Sequence, residues 1–222
     1  VENYRTEEEQ VEALKRWWKE NGRGTIIGVV LALGLGFGWQ TWQKNAQISV
    51  ENASNLYQQM LIALSTEDAQ GAIQGRELAE QLKEEHRGTS YALFAALHLA
   101  RLAVNENQPE QAESELRWVL GMAGEGDDIY QVANLRLARV LASQGNTDQA
   151  LELLSTGSNE YLASYAIARG DVLLQLGRED EALVAYESAV ASLDAGAPVP
   201  QTLQQKLQYL TARQAVNDAE AG

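Results

Sequence analysis

Side chains able to carry acid–base, nucleophilic or metal chemistry are few and scattered in this sequence. Its two histidines, His86 and His98, lie 12 residues apart, which matches no zinc-ligand spacing. It has no cysteine, so disulfides, thiol catalysis, thiolate metal sites and a cysteine-linked lipid are ruled out for these residues. Gly34, Gly36 and Gly38 imitate a phosphate loop, but they stand in an apolar run with no preceding strand and no lysine. No catalytic constellation emerges, no metal or other cofactor is implied, and the chain reads as non-enzymatic. Binding chemistry is what remains. Arg101, Arg139 and Asp171 occupy matching places in three related segments, accompanied by Phe94, Leu97, Leu135 and Ile167. Apolar side chains beside guanidinium groups suit an extended or helical peptide, whose carboxylates arginine engages. The competing reading is that these charges pair with local acids and brace neighbouring helices, and for Asp171 it is the preferred one.

The elements that must hold these residues are helices. The chain has only three prolines, and beyond residue 44 apolar residues recur at three- and four-residue intervals. Segments 98–112, 136–150 and 168–182 align on one helix–turn–helix pattern. Small residues recur on the first helix (Ala100, Ala138, Gly170) and on the second (Ala112, Ala150, Ala182). Between them Asn107, Gly145 and Gly177 suit the left-handed backbone that closes a helix. Antiparallel helices approach closely only where small side chains face each other, so Leu116, Leu154 and Tyr186 would fill the next layer, and Trp118 reads as core. The pattern resembles the tetratricopeptide repeat, whose period is ~34 residues. Spacings of 38 (Ala112 to Ala150) and 32 (Ala150 to Ala182) make these repeats degenerate. An earlier pair near 46–64 and 71–86 has poor register, and a helix over 201–216, after Pro198 and Pro200, would cap the array. Residues 219–222 are expected to be disordered. The predicted fold class is therefore all-α: one N-terminal transmembrane helix, then a tetratricopeptide-like α-solenoid of about four helix pairs plus a C-terminal capping helix.

The transmembrane expectation rests on residues 24–43, which carry no charge and are closed by Arg23 and Lys44. At ~1.5 Å per residue a helix of this length spans roughly 30 Å, the hydrocarbon thickness of a bilayer. Apolar residues such as Ile26, Val30, Leu33 and Phe37 favour insertion by about 0.3–0.6 kcal/mol each, and Trp39 and Trp42 sit where indoles prefer the headgroups. A buried core helix would be weakened by so many glycines, and no Ala-x-Ala-like cleavage site follows Gln43. The run therefore reads as an uncleaved signal anchor. Its pairs Gly24/Gly28 and Gly34/Gly38 form small-residue patches that would let a second membrane helix pack closely.

Orientation follows from the flanks. Lys15, Arg16, Lys19 and Arg23 precede the run, whereas only Lys44 follows it before Arg76, so the positive-inside rule puts the N-terminus in the cytoplasm. Residues 1–23 read as a cytoplasmic amphipathic segment, 24–43 as the span and 44–222 as a periplasmic domain. Thr6 with Glu9 matches a capping box, and Val11, Leu14, Trp17 and Trp18 share a face that would lie on the lipid bilayer or bind a partner. The net charge of −14 falls entirely beyond residue 44, which excludes nucleic acid as a partner and keeps the domain soluble. Asn52-Ala53-Ser54 is a glycosylation acceptor by form only.

Whole-chain features carry a further resemblance. The opening Glu-Asn-Tyr, the segment 9–22, the glycine-rich span ending in Gly-Trp-Gln-Thr-Trp, and Asn-Leu-Arg-Leu-Ala-Arg-Val at 134–140 are similar to the YfgM family. These are ancillary subunits of the SecYEG translocon of Gram-negative bacteria. The resemblance implies a periplasmic tetratricopeptide-like domain on an inner-membrane anchor. It also implies association with the SecYEG channel and pairing with a PpiD-like periplasmic chaperone, so that newly exported polypeptides leave the channel. The alternative is a structural scaffold for another envelope assembly, such as a pilus, division or secretion machine.

Overall fold

The computed structural model describes residues 7–66, 68–155, 157, 159–193 and 196–221. Among them every regular element is helical. The chain divides into two compact units, Val1–Asn52 and Ala53–Gly222. Helix α1 spans Glu7–Ser65 and supplies residues to both.

In the first unit the amphipathic segment and the apolar run belong to this one helix. No proline interrupts it, and the Trp18 indole lies over Gly22, where an added Cβ would meet the ring at 3.3 Å. Asn21 Nδ2 donates to the Trp17 carbonyl at 3.2 Å and Thr25 Oγ1 to the Asn21 carbonyl at 3.1 Å, so polar side chains bond back along the helix instead of breaking it. The described part of the amphipathic segment expected before Gly24 is thus the first part of α1; the capping residue Thr6 lies outside the described residues. The most apolar 18-residue window of α1 has a mean hydropathy of 1.4 and is 0% buried. A core helix would be covered by its own chain; this one is not.

The second unit is built from helix pairs. Residues 53–65 of α1 pack on α2 (Ala69–Glu85), with Ala53, Met60, Ala79 and Leu82 in one core cluster and Gly75 against Leu64; α3 (Ser90–Asn105) pairs with α4 (Pro109–Met122), α5 (Asp128–Ser143) with α6 (Thr147–Leu153), and α7 (Leu162–Gln175) with α8 (Glu179–Ala191). Helix α9 (Gln201–Ala221) packs on α8 through Leu203 and Leu210. The chain over 219–221, expected to be irregular, is its last turn; from Gln201 to Ala221 there is neither glycine nor proline to stop it.

One closure is used three times. Asn107, Gly145 and Gly177 have φ of 57°, 84° and 73°. After each, the next amide reaches back to the helix: Gln108 N to Ala103 O at 2.8 Å, Asn146 N to Leu141 O and Arg178 N to Leu173 O at 2.9 Å. With the accompanying bonds Asn107 N to Val104 O and Gly145 N to Ala142 O at 3.1 Å and Gly177 N to Leu174 O at 3.0 Å, these are Schellman closures. They reverse the chain sharply enough for the next helix to pack on the last.

Small residues set how closely the pairs pack. Ala100, Ala138, Ala112, Ala150 and Ala182 are all buried, and so are Leu116, Leu154 and Tyr186 in the adjoining layer. A Cβ on Gly170 would stand 2.4 Å from Cε1 of Tyr186, so only glycine admits that ring. The first pair uses the same device at a place its sequence disguised. Gly75 faces Leu64, whose Cδ2 would be 2.4 Å from an added Cβ, and Met60 rather than Leu61 points inward.

Polar groups tie the pairs together. The Tyr165 hydroxyl of α7 donates to the Gln131 carbonyl at 3.0 Å and accepts from Asn134 Nδ2 at 3.2 Å; Asn134 also donates to the Leu153 carbonyl. Asn134 and Tyr165 are only 4% and 2% exposed, so these bonds form away from water. Between α2 and α4, Lys83 Nζ lies 2.8 Å from Glu115 Oε2 and 5.6 Å from the Trp118 ring centroid. Burial raises the Glu115 pKa above the usual carboxylate value, and Lys83 offsets only part of that.

Two substitutions check this account. Gly170→Ala should destabilise the domain by about 1–3 kcal/mol through overpacking, whereas Gly121→Ala, which meets nothing within 4 Å, should stabilise it by up to ~1 kcal/mol. Urea unfolding of the full-length chain in detergent, followed by circular dichroism, reads both signs. Tyr165→Phe strips one donor from the Gln131 carbonyl and one acceptor from Asn134, and should cost about 1–2 kcal/mol in the same assay.

Candidate partner-binding groove

Helices α3 and α5 lie side by side, and two hollows open along them. The first, of about 820 Å³, is lined by Phe94, Leu97, His98, Arg101, Val132 and Arg136, with Tyr57 at its wall and Asp127 and Asp128 at its rim. The second, of about 580 Å³, is lined by Arg101, Val104, Arg136, Arg139 and Val140. Arg101 and Arg136 belong to both, so the hollows share a cationic ridge. Helical spacing explains the grouping: Leu97 and Arg101 are four residues apart on α3, and Arg136 and Arg139 three apart on α5.

The sequence-derived binding residues separate here. Phe94 is 40% exposed, and Arg101 and Arg139 are exposed as well. Leu97 is 8% exposed and forms the floor of the first hollow. Leu135, at 9%, belongs to the central core beneath and lines neither hollow. Ile167 is half-buried against the last core cluster, with Leu173 and Tyr186. Asp171 accepts from the Tyr186 hydroxyl at 2.7 Å and is ion-paired to Lys206 of α9, the bracing role preferred for it. Burial, and then the Asp171 carboxylate, raise the Tyr186 pKa well above the ordinary phenol value. Phe94, Leu97, Arg101 and Arg139 thus come together, while Ile167 and Asp171 serve the junction with α9. Trp118 is half-buried against the core, as its position on a second helix suggested.

Sequence reasoning missed Arg136 and Tyr57. Arg136 adjoins Leu135 in the chain, and aligning the repeats singled out Leu135. The signal that could have found it is the three-residue step to Arg139, which puts both guanidiniums on one face.

Electrostatics in the groove is one-sided. His98 Nδ1 is 3.4 Å from a nitrogen of Arg101, which can only donate; the imidazole proton therefore sits on Nε2, donating to the Tyr57 hydroxyl at 3.2 Å. Burial lowers the His98 pKa, and the charges of Arg101 and Arg136 lower it further, so the ring is neutral near pH 7. Burial raises the Tyr57 pKa, with Arg101 opposing. Burial also lowers the Arg136 pKa, and Arg101 and Arg139 push in the same direction. Among the described residues none of these arginines is ion-paired to a carboxylate, while Arg76, Arg117, Arg178 and Arg213 have Glu106, Glu113, Glu181 and Glu179.

Elsewhere the inventory is bare. Among the described residues no three His, Cys, Asp or Glu side chains are grouped to hold a metal ion. In the first unit, a Cβ on Gly24, Gly28, Gly34 or Gly38 would meet nothing within 4 Å, so the small-residue patches are open.

The chain matches the tetratricopeptide repeat-like domain family over residues 15–212. It is 35% identical over 213 residues to the ancillary SecYEG translocon subunit of Escherichia coli (strain K12), covering 95% of this chain and 100% of that protein. Identity to the ancillary SecYEG translocon subunit of Aggregatibacter actinomycetemcomitans is 34% over 206 residues, covering 92% of this chain and 97% of the relative. For that of Haemophilus influenzae it is 30% over 187 residues, covering 84% and 89%. No solved structure matches the chain. Helix pairs with shared closures, an apolar helix ahead of them, and full-length similarity to these proteins agree: the chain belongs to the ancillary SecYEG translocon subunits, a tetratricopeptide repeat-like family.

Proposed function

We propose that this protein is a non-enzymatic, membrane-anchored adaptor of the SecYEG translocon, and that it pairs with a PpiD-like periplasmic chaperone to help exported polypeptides leave the channel. The observation that carries the reading is an open, arginine-lined groove on a helical-repeat domain in a chain that also has an uncovered apolar helix. The relatives' shared name supports the association with the channel. The chaperone partner comes from the family resemblance and suits a fold whose helix pairs offer a long surface for a polypeptide.

In this reading α1 crosses the inner membrane through residues 24–43, with 1–23 in the cytoplasm and 44–222 in the periplasm. The basic residues Lys15, Arg16, Lys19 and Arg23 hold the short N-terminal flank inside, because translocating them against the membrane potential is unfavourable. The open glycine patches at Gly24, Gly28, Gly34 and Gly38 are suited to lateral packing on another membrane helix.

Because the chain has no cysteine, single introduced thiols report orientation directly. Gln201→Cys should react with a membrane-impermeant maleimide added to spheroplasts, and Glu12→Cys only after lysis; the reverse pattern would overturn the topology. For the function itself, tagged full-length protein purified in gentle detergent should bring channel subunits and a single-pass periplasmic chaperone. Their reproducible absence, with other envelope proteins in their place, would replace the adaptor by a scaffold.

A further inference from the structure

The groove carries more chemical detail than a general binding surface. Three guanidinium groups are gathered on α3 and α5 in a domain that holds the whole acidic excess of the chain. Like charges so close repel, and no ion pair to a carboxylate compensates them among the described residues. A bracing role is therefore not what holds them there. Apolar surface flanks them on both sides: Phe94 in one hollow and Val104 in the other are 40% and 52% exposed. We propose that Arg101, Arg136 and Arg139 are the receptor for an acidic peptide segment, whose carboxylate lies on the shared Arg101–Arg136 ridge with an apolar side chain in each flanking hollow.

This rests on the reading of the groove as a partner surface and adds the chemistry of the occupant. Each guanidinium presents a planar fork of donors that matches a carboxylate, and a lysine at these positions would not. Polarity is set as well. Asp127 and Asp128 stand at the rim of the first hollow only, and Asp127 Oδ2 already accepts from the Gly124 amide at 2.9 Å. Acid on the ligand is repelled from that rim and drawn to the arginine end. His98 beside Arg101 contributes no charge near pH 7, so the three arginines alone supply the attraction. A basic peptide, which the net charge of −14 would attract to most of the domain, is turned away from this groove.

The test uses purified full-length protein in detergent and a fluorescein-labelled peptide of alternating leucine and glutamate. Its counterpart carries glutamine in place of every glutamate. By fluorescence anisotropy the glutamate peptide should bind roughly tenfold or more tighter, the gain expected from hydrogen bonds to a charged group. Arg136→Gln should remove most of that difference and leave the glutamine peptide nearly unaffected. Arg213→Gln makes the same change in net charge far along the chain, next to Glu179, and should leave it intact. Arg101→Lys, which keeps the charge but loses the fork, should fall between, and it decides the matter should the Arg136 variant lose its helical circular dichroism. Equal binding of the two peptides, or an unchanged difference in both groove variants, would overturn the proposal. Neither result bears on whether channel subunits co-purify, so the two readings fail separately.

Discussion

Close approach of paired helix backbones is the constraint on which the second unit depends. At Gly170 the distance is so short that a single methyl would stand 2.4 Å from the Tyr186 ring, and Gly75 meets Leu64 in the same way. Buried alanines take that role at the other crossings. Such contacts forgo large side chains, so apolar burial is concentrated in the adjoining layer of Leu116, Leu137, Leu141 and Tyr186. The repeated Schellman closures follow from the same requirement, because a loose turn would splay the helices that the alanines bring together.

Polar links then decide which pair sits on which. Tyr165, Asn134 and Gln131 join α5, α6 and α7, while Lys83 and Glu115 join α2 and α4. Buried bonds of this kind contribute little net stability, but each is costly to leave unmade, so they disfavour slipped arrangements of a degenerate repeat. Asp171 belongs with them: held by Tyr186 and Lys206, it fastens the terminal helix to the last pair. The matching positions in the two preceding repeats, Arg139 and Arg101, have no such duty and face the groove. Equivalent places in one repeat thus divide between an ion pair at the α9 junction and an open hollow according to whether a neighbour of opposite charge is at hand.

Most of the architecture was legible beforehand because it is local. Small residues at fixed intervals, a left-handed residue at each turn and an uncharged apolar run are consequences of helix geometry and bilayer thickness, which depend on a few successive residues. The first pair was the exception. Its close contact is made by Gly75 against Leu64, a place that its poor register with the other repeats did not mark. The end of α9 was also misjudged, since nothing between Gln201 and Ala221 stops a helix.

The groove was only half legible. Phe94, Leu97, Arg101 and Arg139 could be read from repeat alignment, because equivalent positions point the same way. Arg136 and Tyr57 could not, because their meeting depends on how neighbouring pairs are offset, and that offset is set by side-chain packing between elements distant in the chain. By itself the sequence determined the helices, their turns, the apolar anchor and the surplus of acid, each a property of composition or short-range spacing. Only the tertiary structure decided that three arginines from two helices would gather in one groove, with no ion pair to a carboxylate among the described residues, since charge pairing depends on distances across the fold.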